Sequence, residues 1–418
     1  MTTSVNLANV QVPYHRPSIG PEEIEEVVST LKSGWLTTGP RTFQFEQEFR
    51  ASLGVPRALA VNSCTAGLHL ALVALNVGPG MEVITTPLTF CSTVNVILHV
   101  GATPVLADVG PDGNIDPASV SARITGRTRA IIPVHLAGLP CDMDALWALA
   151  RRHALYVIED CAHATGSYHR GSPIGAGNPA TGDFSNASVF SFYACKNMTT
   201  GEGGMVTTHD EELADSLRIL CLHGISKNAW DRYSDRGNWY YEVLRSGFKY
   251  NLTDIQSAIG IHQLRKLGSF VEARRRQAQA YNRGFADVEE FEVPPQKDDC
   301  QHSWHLYMLR LNLEKLEISR DQFIMELKDK GIGTSVHFIP IPLHPFFAPL
   351  ACRPENKCPQ ALALYPRLIS LPIYPGMTES QIKYVVETAK DIARKARKKK
   401  PGVSGAELQQ NLTSVTPA

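Results

Sequence analysis

Residues 157–167 read VIEDCAHATGS and residues 190–206 read FSFYACKNMTTGEGGMV. Each stretch opens as an apolar run of strand length. Each then carries a residue out of keeping with a core, Asp160 in the first and Lys196 in the second. A carboxylate at the end of a buried strand destabilises unless it meets a partner, although it can also cap a following turn. A lysine just after a buried strand has its charged form disfavoured by desolvation, which lowers its pKa and makes the amine nucleophilic. The glycines of Gly201-Glu202-Gly203-Gly204 permit a tight turn or a close backbone approach.

The flanking sequence repeats the alternation. Short apolar strands are predicted at Glu82–Thr86, Thr103–Asp108, Ala130–His135, Leu155–Asp160, Ser188–Phe192 and Gly204–Thr208. Helices are predicted at Pro21–Lys32, Ala66–Val77 and Asp142–His153, the first with proline and acids in its opening turn and Gly34 as its stop. This pattern predicts an α/β fold with a mainly parallel sheet between helices. In such sheets ligands bind beyond the carboxyl ends of the strands. Asn62-Ser63-Cys64-Thr65-Ala66-Gly67 opens one of the helices, where free N–H groups and the helix dipole suit a phosphate. An ordinary N-cap by Ser63 or Thr65 reads the same way. Taken together, a phosphate cradle, a carboxylate and an imine-forming lysine are what pyridoxal phosphate needs.

Past residue 260 the pattern changes. A long basic helix is predicted at Gln263–Arg283, a strand at His305–Leu311, and helices at Arg320–Lys330 and Glu379–Lys395, with the proline-rich IPIPLHPFFAP between. This reads as a smaller α+β unit. The expected division is a large domain over 13–260, a small one over 261–395 and a basic, polar, solvated tail over 396–418.

Composition narrows the function classes. Lys+Arg and Asp+Glu are 41 each in 418 residues, so there is no basic field for nucleic acid. No run of 18 apolar residues spans a membrane, and the start lacks a secretory leader. None of the nine cysteines form a C-x-x-C pair, which argues against zinc and disulfide-exchange chemistry. No metal is expected, the expected setting is cytoplasmic, and Cys64, Cys91, Cys161 and Cys195 are read as small buried fillers. Gly175-Ala176-Gly177-Asn178-Pro179-Ala180 satisfies G-x-G-x-x-A, but it follows the turn-like HRGSPI and is broken by Pro179 and Gly182. It does not read as a dinucleotide site.

The sequence resembles the DegT-type sugar aminotransferases, a branch of the fold-type I pyridoxal-phosphate enzymes, from about residue 13 to 395. The matching stretches are GWLTTGPRTFQFE (34–46), NSCTAGLHLAL (62–72), VITTPLTFCSTVN (83–95), IIPVHLAG (131–138), the two quoted at the outset, and GFKYNLTDIQSAIG (247–260). That segment, with SWHLY (303–307) and GIGTSVHF (331–338), is most similar to UDP-4-keto-sugar 4-aminotransferases, including the enzyme of 4-amino-4-deoxy-arabinose synthesis. The resemblance implies a seven-stranded large domain. It implies Lys196 as the lysine bonded to the cofactor, Asp160 as partner of the pyridine nitrogen, and His163 beside the ring. Phe90 stacks on the ring, and Thr65, Ala66 and Ser191 hold the phosphate. Asn251 is donated to the neighbouring subunit's phosphate, so a homodimer with shared sites is implied. Trp35, Thr37, His337 and His344 shape the sugar pocket. The implied reaction moves an amino group from an amino acid such as glutamate to a nucleotide-linked keto-sugar, with Lys196 as general base and acid. Two alternatives stand beside it: a keto-sugar 3-dehydratase, whose relatives carry histidine at the position of Lys196, and a cofactor-binding regulator.

Overall fold

The structure is a computed structural model and describes residues 12–226, 240–351 and 356–398. Two helices, α1 (Pro21–Ser33) and α2 (Pro40–Leu53), precede β1 (Arg57–Val61) and α3 (Cys64–Ala74). Then come β2 (Glu82–Thr85), α4 (Ser92–His99), β3 (Thr103–Leu106), α5 (Pro117–Ser121), β4 (Thr128–Ile132), α6 (Met143–His153) and β5 (Tyr156–Asp160). A small ribbon, β6 (Tyr168–His169) and β7 (Ser172–Pro173), leads to β8 (Ala187–Ser191), β9 (Gly204–Thr208) and α7 (Glu211–Cys221).

Seven of these strands form one sheet in the order β1-β9-β8-β5-β4-β2-β3. The pairs β2–β3, β2–β4, β4–β5 and β5–β8 are parallel, and β9 alone runs against its neighbours β1 and β8. Strands β2, β8 and β9 are buried from end to end, which is why their sequences read as largely apolar runs rather than alternating ones. Gly67 lets α3 lie close on the sheet: a Cβ there would stand 2.5 Å from Val189 and 2.9 Å from Val206. The predicted strand and helix positions are met to within a few residues. Gly175–Ala180 is a turn that opens no helix, with Gly175 and Gly177 both at positive φ.

The remaining elements are α8 (Asp254–Phe285), β10 (Phe291–Glu292), β11 (Cys300–Gln301), β12 (Tyr307–Leu311), α9 (Arg320–Asp329), β13 (Leu368–Leu371) and α10 (Glu379–Lys395). Strands β10-β12-β13 make a second sheet, and β11 joins β6 and β7 in a third. Tyr281 and Phe285 of α8, Phe323 of α9 and Val385 of α10 pack on the second sheet in one core. The helix predicted at Gln263–Arg283 starts nine residues earlier than the sequence reading, at Asp254. Thr253 is the cap: its hydroxyl accepts from Gln256 N–H, while the Gln256 side chain returns to Thr253 N–H. The boundary expected after residue 260 therefore falls inside a continuous helix. The first half of α8 packs with Phe45 and Phe49, and its second half with the β10-β12-β13 core. The expected tail lies outside the described residues from 399 onward.

Asp254 fastens α8 to α2. Its buried carboxylate accepts from the N–H groups of Gly39 (2.8 Å), Arg41 (3.1 Å) and Thr42 (3.0 Å) and from the Thr42 hydroxyl (2.7 Å), capping α2 from outside. Asp254→Ala leaves these donors unsatisfied and is expected to lower stability by about 3 kcal/mol, read as the urea midpoint. Asp254→Asn, which keeps one accepting oxygen, should lose less. An unchanged midpoint in the alanine variant would remove this fastening from the account.

Candidate active site

A cavity of about 420 Å³ opens at the carboxyl ends of β5 and β8 and at the N-terminus of α3. Thr65, Phe90, Asp160, His163, Ser191, Lys196 and His337 all border it. Three connections bring them there: the turn after β2 carries Phe90, the turn after β5 carries His163, and the turn after β8 carries Lys196. Gly204, opposite on β9, makes room for α3. A Cβ there would stand 2.7 Å from Phe190 O and 2.8 Å from Cys64 N, both backbone atoms that cannot yield.

Asp160 ends β5, 4% exposed. The Thr93 hydroxyl donates to Oδ2 (2.9 Å) and Ala162 N–H to Oδ1 (3.1 Å), with the Cys64 thiol 3.8 Å from Oδ1. Burial still raises its pKa above the usual carboxylate value, against the pull of those bonds and of Lys196. Lys196 shows the opposite shift. Burial lowers the pKa of its ammonium, and Cys195, Cys64 and Asp160 only partly offset this. The cavity therefore holds an amine that sheds its proton more readily than ordinary lysine, beside a carboxylate short of positive charge.

His163 accepts Ala137 N–H on Nδ1 (3.2 Å), so the neutral ring carries its proton on Nε2. Burial first, then the neighbouring Lys196, His337 and His135, hold its pKa well below the usual histidine value. Its ring lies 4.4 Å from that of His305 and 5.6 Å from that of Phe338. His337 bonds the Ser370 hydroxyl through Nδ1 (2.8 Å) and stacks on Tyr14 at 5.9 Å. Phe90, 59% exposed, faces open space rather than core, its ring 6.1 Å from Phe338. The Ser191 hydroxyl accepts from Tyr193 N–H (3.4 Å).

The helix N-terminus proves to be both things the sequence allowed. Ser63 is the N-cap of α3, its hydroxyl accepting from Ala66 N–H at 3.1 Å, and Ser63, Cys64 and Thr65 also border the cavity. Ala66 itself is buried behind them. Trp35, Thr37 and Asn251 do not border this cavity but sit together elsewhere. Asn251 donates to the Thr38 hydroxyl (2.8 Å), Trp35 Nε1 donates to Thr38 O (3.1 Å), and Thr37 O accepts from Asp254 N–H (3.2 Å). His344 is also away from the cavity, its ring 6.2 Å from Phe347. Of the cysteines read as buried fillers, Cys64 and Cys161 are buried. Cys91 and Cys195 are part-exposed, and Cys195 borders the cavity because its turn must open to present Lys196.

Reading the sequence missed Thr93, which holds Asp160, and His305 and Phe338, which flank His163. Each lies inside a quoted motif, but none stands at a strand end, where ligand-facing residues were sought. His305 arrives from the far side of the molecule on a turn whose Trp304 has a left-handed φ of 52°.

The sequence profile of the DegT/DnrJ/EryC1/StrS aminotransferase family matches residues 17–390. The chain is 48% identical over 394 residues to the spore coat polysaccharide biosynthesis protein SpsC of Bacillus subtilis, covering 94% of this chain and 100% of that one. Spr1654 from Streptococcus pneumoniae, solved in its PMP form, superposes with a TM-score of 0.85 at 34% identity, covering 92% and 100% of the two chains. Helicobacter pylori PseC, an aminotransferase of pseudoaminic acid biosynthesis, gives 0.84 at 31% identity over 92% and 99%. With its mainly parallel sheet, its strand-end carboxylate and its buried lysine, the chain belongs to the DegT/DnrJ/EryC1/StrS aminotransferase family.

Proposed function

We propose that this sugar aminotransferase moves an amino group from an amino acid, L-glutamate, to the C4 ketone of a nucleotide-linked sugar used in surface polysaccharide. The observation that carries this reading is the pairing of Lys196 and Asp160 across one cavity at the carboxyl ends of β8 and β5. The cofactor of the family is pyridoxal phosphate, and Spr1654 is known in its PLP form. The residues present fit that group. Asp160 is a buried carboxyl lacking a full positive partner, which a protonated ring nitrogen supplies, and Gly204 clears the approach to the α3 N-terminus, where a phosphate is favoured.

Bound pyridoxal phosphate supplies an aldehyde for the lysine and an electron-withdrawing ring. In this reading Lys196 Nζ, whose charged form burial disfavours, would act first as nucleophile and then as base. It would take the proton from the donor Cα and deliver it to the carbon that was the cofactor's aldehyde, and on the sugar it would work in the reverse sense. Asp160 keeps its ring partner protonated, with Thr93 and Ala162 N–H fixing the carboxylate. Thr65 and Ser191 would hold the phosphate at the first turn of α3, which the buried Ala66 continues, Phe90 and His163 would border the ring, and His337 would face the sugar. The separation of Asn251, Trp35 and Thr37 from this cavity supports a homodimer in which they serve the neighbouring site, and likeness to SpsC supports the polysaccharide destination. His344 does not line this cavity, and its sugar-pocket role stays part of the proposal. The division into a large domain over 13–260 and a small one over 261–395, which α8 spans, and a cytoplasmic setting belong to the same proposal. Lys196 itself weighs against the dehydratase alternative.

The purified protein, supplied with glutamate and UDP-4-keto sugars, is expected to release an amino sugar, detected by mass. Glutamate consumption without any sugar product would favour the regulator instead. Lys196→Ala should slow transfer by about a hundredfold to ten-thousandfold. Asp160→Asn, which cannot hold a proton on its partner by charge, should slow transfer by about a hundredfold or more and shift the absorbance of the bound cofactor. Full activity in either variant would contradict the assigned role.

A further inference from the structure

We propose that His169, Asp299 and Cys300 form a binding site for a borderline-soft divalent cation such as zinc, on the β6–β11 ribbon and apart from the Lys196 cavity. Cys300 and His169 face each other as an antiparallel cross-strand pair, and Arg170 N–H bonds Asp299 O at 2.7 Å. The ligands therefore stand on paired backbone rather than on free loops. Cys300 Sγ lies 3.6 Å from His169 Nδ1 and 3.4 Å from Asp299 Oδ1. In a tetrahedral zinc site, with bonds of about 2.3 Å to sulfur and about 2.0–2.2 Å to nitrogen and oxygen, neighbouring ligand atoms stand about 3.5 Å apart. A sulfur, an imidazole nitrogen and a carboxylate oxygen also match the donor preference of zinc or cobalt rather than magnesium or calcium.

Behind these three stands the partner that a metal-bound histidine needs. His169 is 6% exposed, and its Nε2 has no hydrogen-bond partner, yet Asp144 Oδ2 is 3.5 Å away. Metal on Nδ1 leaves the ring proton on Nε2, where a small turn of the ring or of Asp144 would bring it onto that carboxylate, an arrangement that orients metal-ligating histidines. The charges agree. Burial and Asp299 push the pKa of the free Cys300 thiol up to about 12, so it gives up its proton only on binding. The thiolate and the carboxylates of Asp299 and Asp144, set against the guanidinium of Arg170 (2.8 Å from Asp144, 3.6 Å from Asp299), then leave two negative charges to meet a divalent cation. Lys297 is engaged by Asp112 at 2.7 Å. Cys300 borders a surface groove with Tyr168 and His302, which gives an entry path. On binding, the thiol proton passes to solvent and sulfur ligates as thiolate. Such an ion would tie the ribbon after β5 to the segment that runs into His305. The sequence hides the site because its ligands lie about 130 residues apart with no Cys–His spacing.

The test is cobalt titration of the chelator-treated full-length protein, read in the visible range beyond the absorption of a pyridoxal cofactor. The expected result is the band pattern of tetrahedral, thiolate-ligated cobalt, saturating at one ion per chain and displaced by zinc. Cys300→Ser, and separately Asp299→Ala at its exposed position, should abolish or sharply weaken it while the metal-free melting temperature stays that of the parent. Zinc should raise the melting temperature of the parent and not of Cys300→Ser. Absence of the bands in the parent, or bands of equal strength in Cys300→Ser, would overturn the proposal. The outcome is independent of the aminotransferase reading.

Discussion

Two groups that favour water, the carboxyl of Asp160 and the amine of Lys196, are held in one largely desolvated cavity. Their pKa values shift in opposite directions, each toward the uncharged form, and burial is the chief cause of both. Such a pair destabilises a fold unless a ligand completes it. The surroundings read as devices for keeping it in place: Thr93 and Ala162 N–H on the carboxylate, a close-packed α3, and a glycine where β9 meets the first turn of that helix. Perturbed groups that converge on a cavity mark a functional site more strongly than either shift alone.

The rest of the molecule serves this cavity from two sides. The seven-stranded sheet presents strand ends, and the chain after α8 presents His305, His337 and Phe338. The join is specific. Leu306 N–H bonds Ala137 O at 3.2 Å, Ser303 N–H bonds Gly138 O at 3.3 Å, and a Cβ on Gly138 would stand 2.3 Å from Ser303 Oγ. From the other side the buried Arg274 donates through Nη1 to the carbonyls of Trp304, His305 and Ile373. The left-handed Trp304 between them is held by His302, whose Nδ1 accepts Trp304 N–H at 2.8 Å. A costly backbone conformation is thus over-determined at the point where the chain before β12 reaches the cavity.

Much of this was legible in the sequence. A buried parallel strand leaves a continuous apolar run, and a charged residue at its end stands out, so Asp160 and Lys196 could be named from pattern alone. The α3 N-terminus was legible too, because small polar residues before an apolar helix have few uses. Residues that act from within an element were not legible: Thr93 on α4 differs in no way from a core threonine until Asp160 is placed beside it. Long-range partnership was equally hidden. Nothing in the sequence says that Ala137 fixes the tautomer of His163, or that Trp35 and Asn251 meet at Thr38 rather than at the cavity of Lys196. The start of α8 was missed because Gly260 interrupts its pattern. That glycine is there for packing, since a Cβ would stand 2.8 Å from the ring of Phe45.

The claim on which the whole reading turns is that Lys196 is the residue bonded to pyridoxal phosphate. The most direct test is to load the purified protein with the cofactor, reduce it with borohydride, and map the modified peptide by mass spectrometry. The account predicts one phosphopyridoxyl group, on Lys196 within the peptide that contains FSFYACKNM. Fixation on another lysine, or none at all, would contradict it.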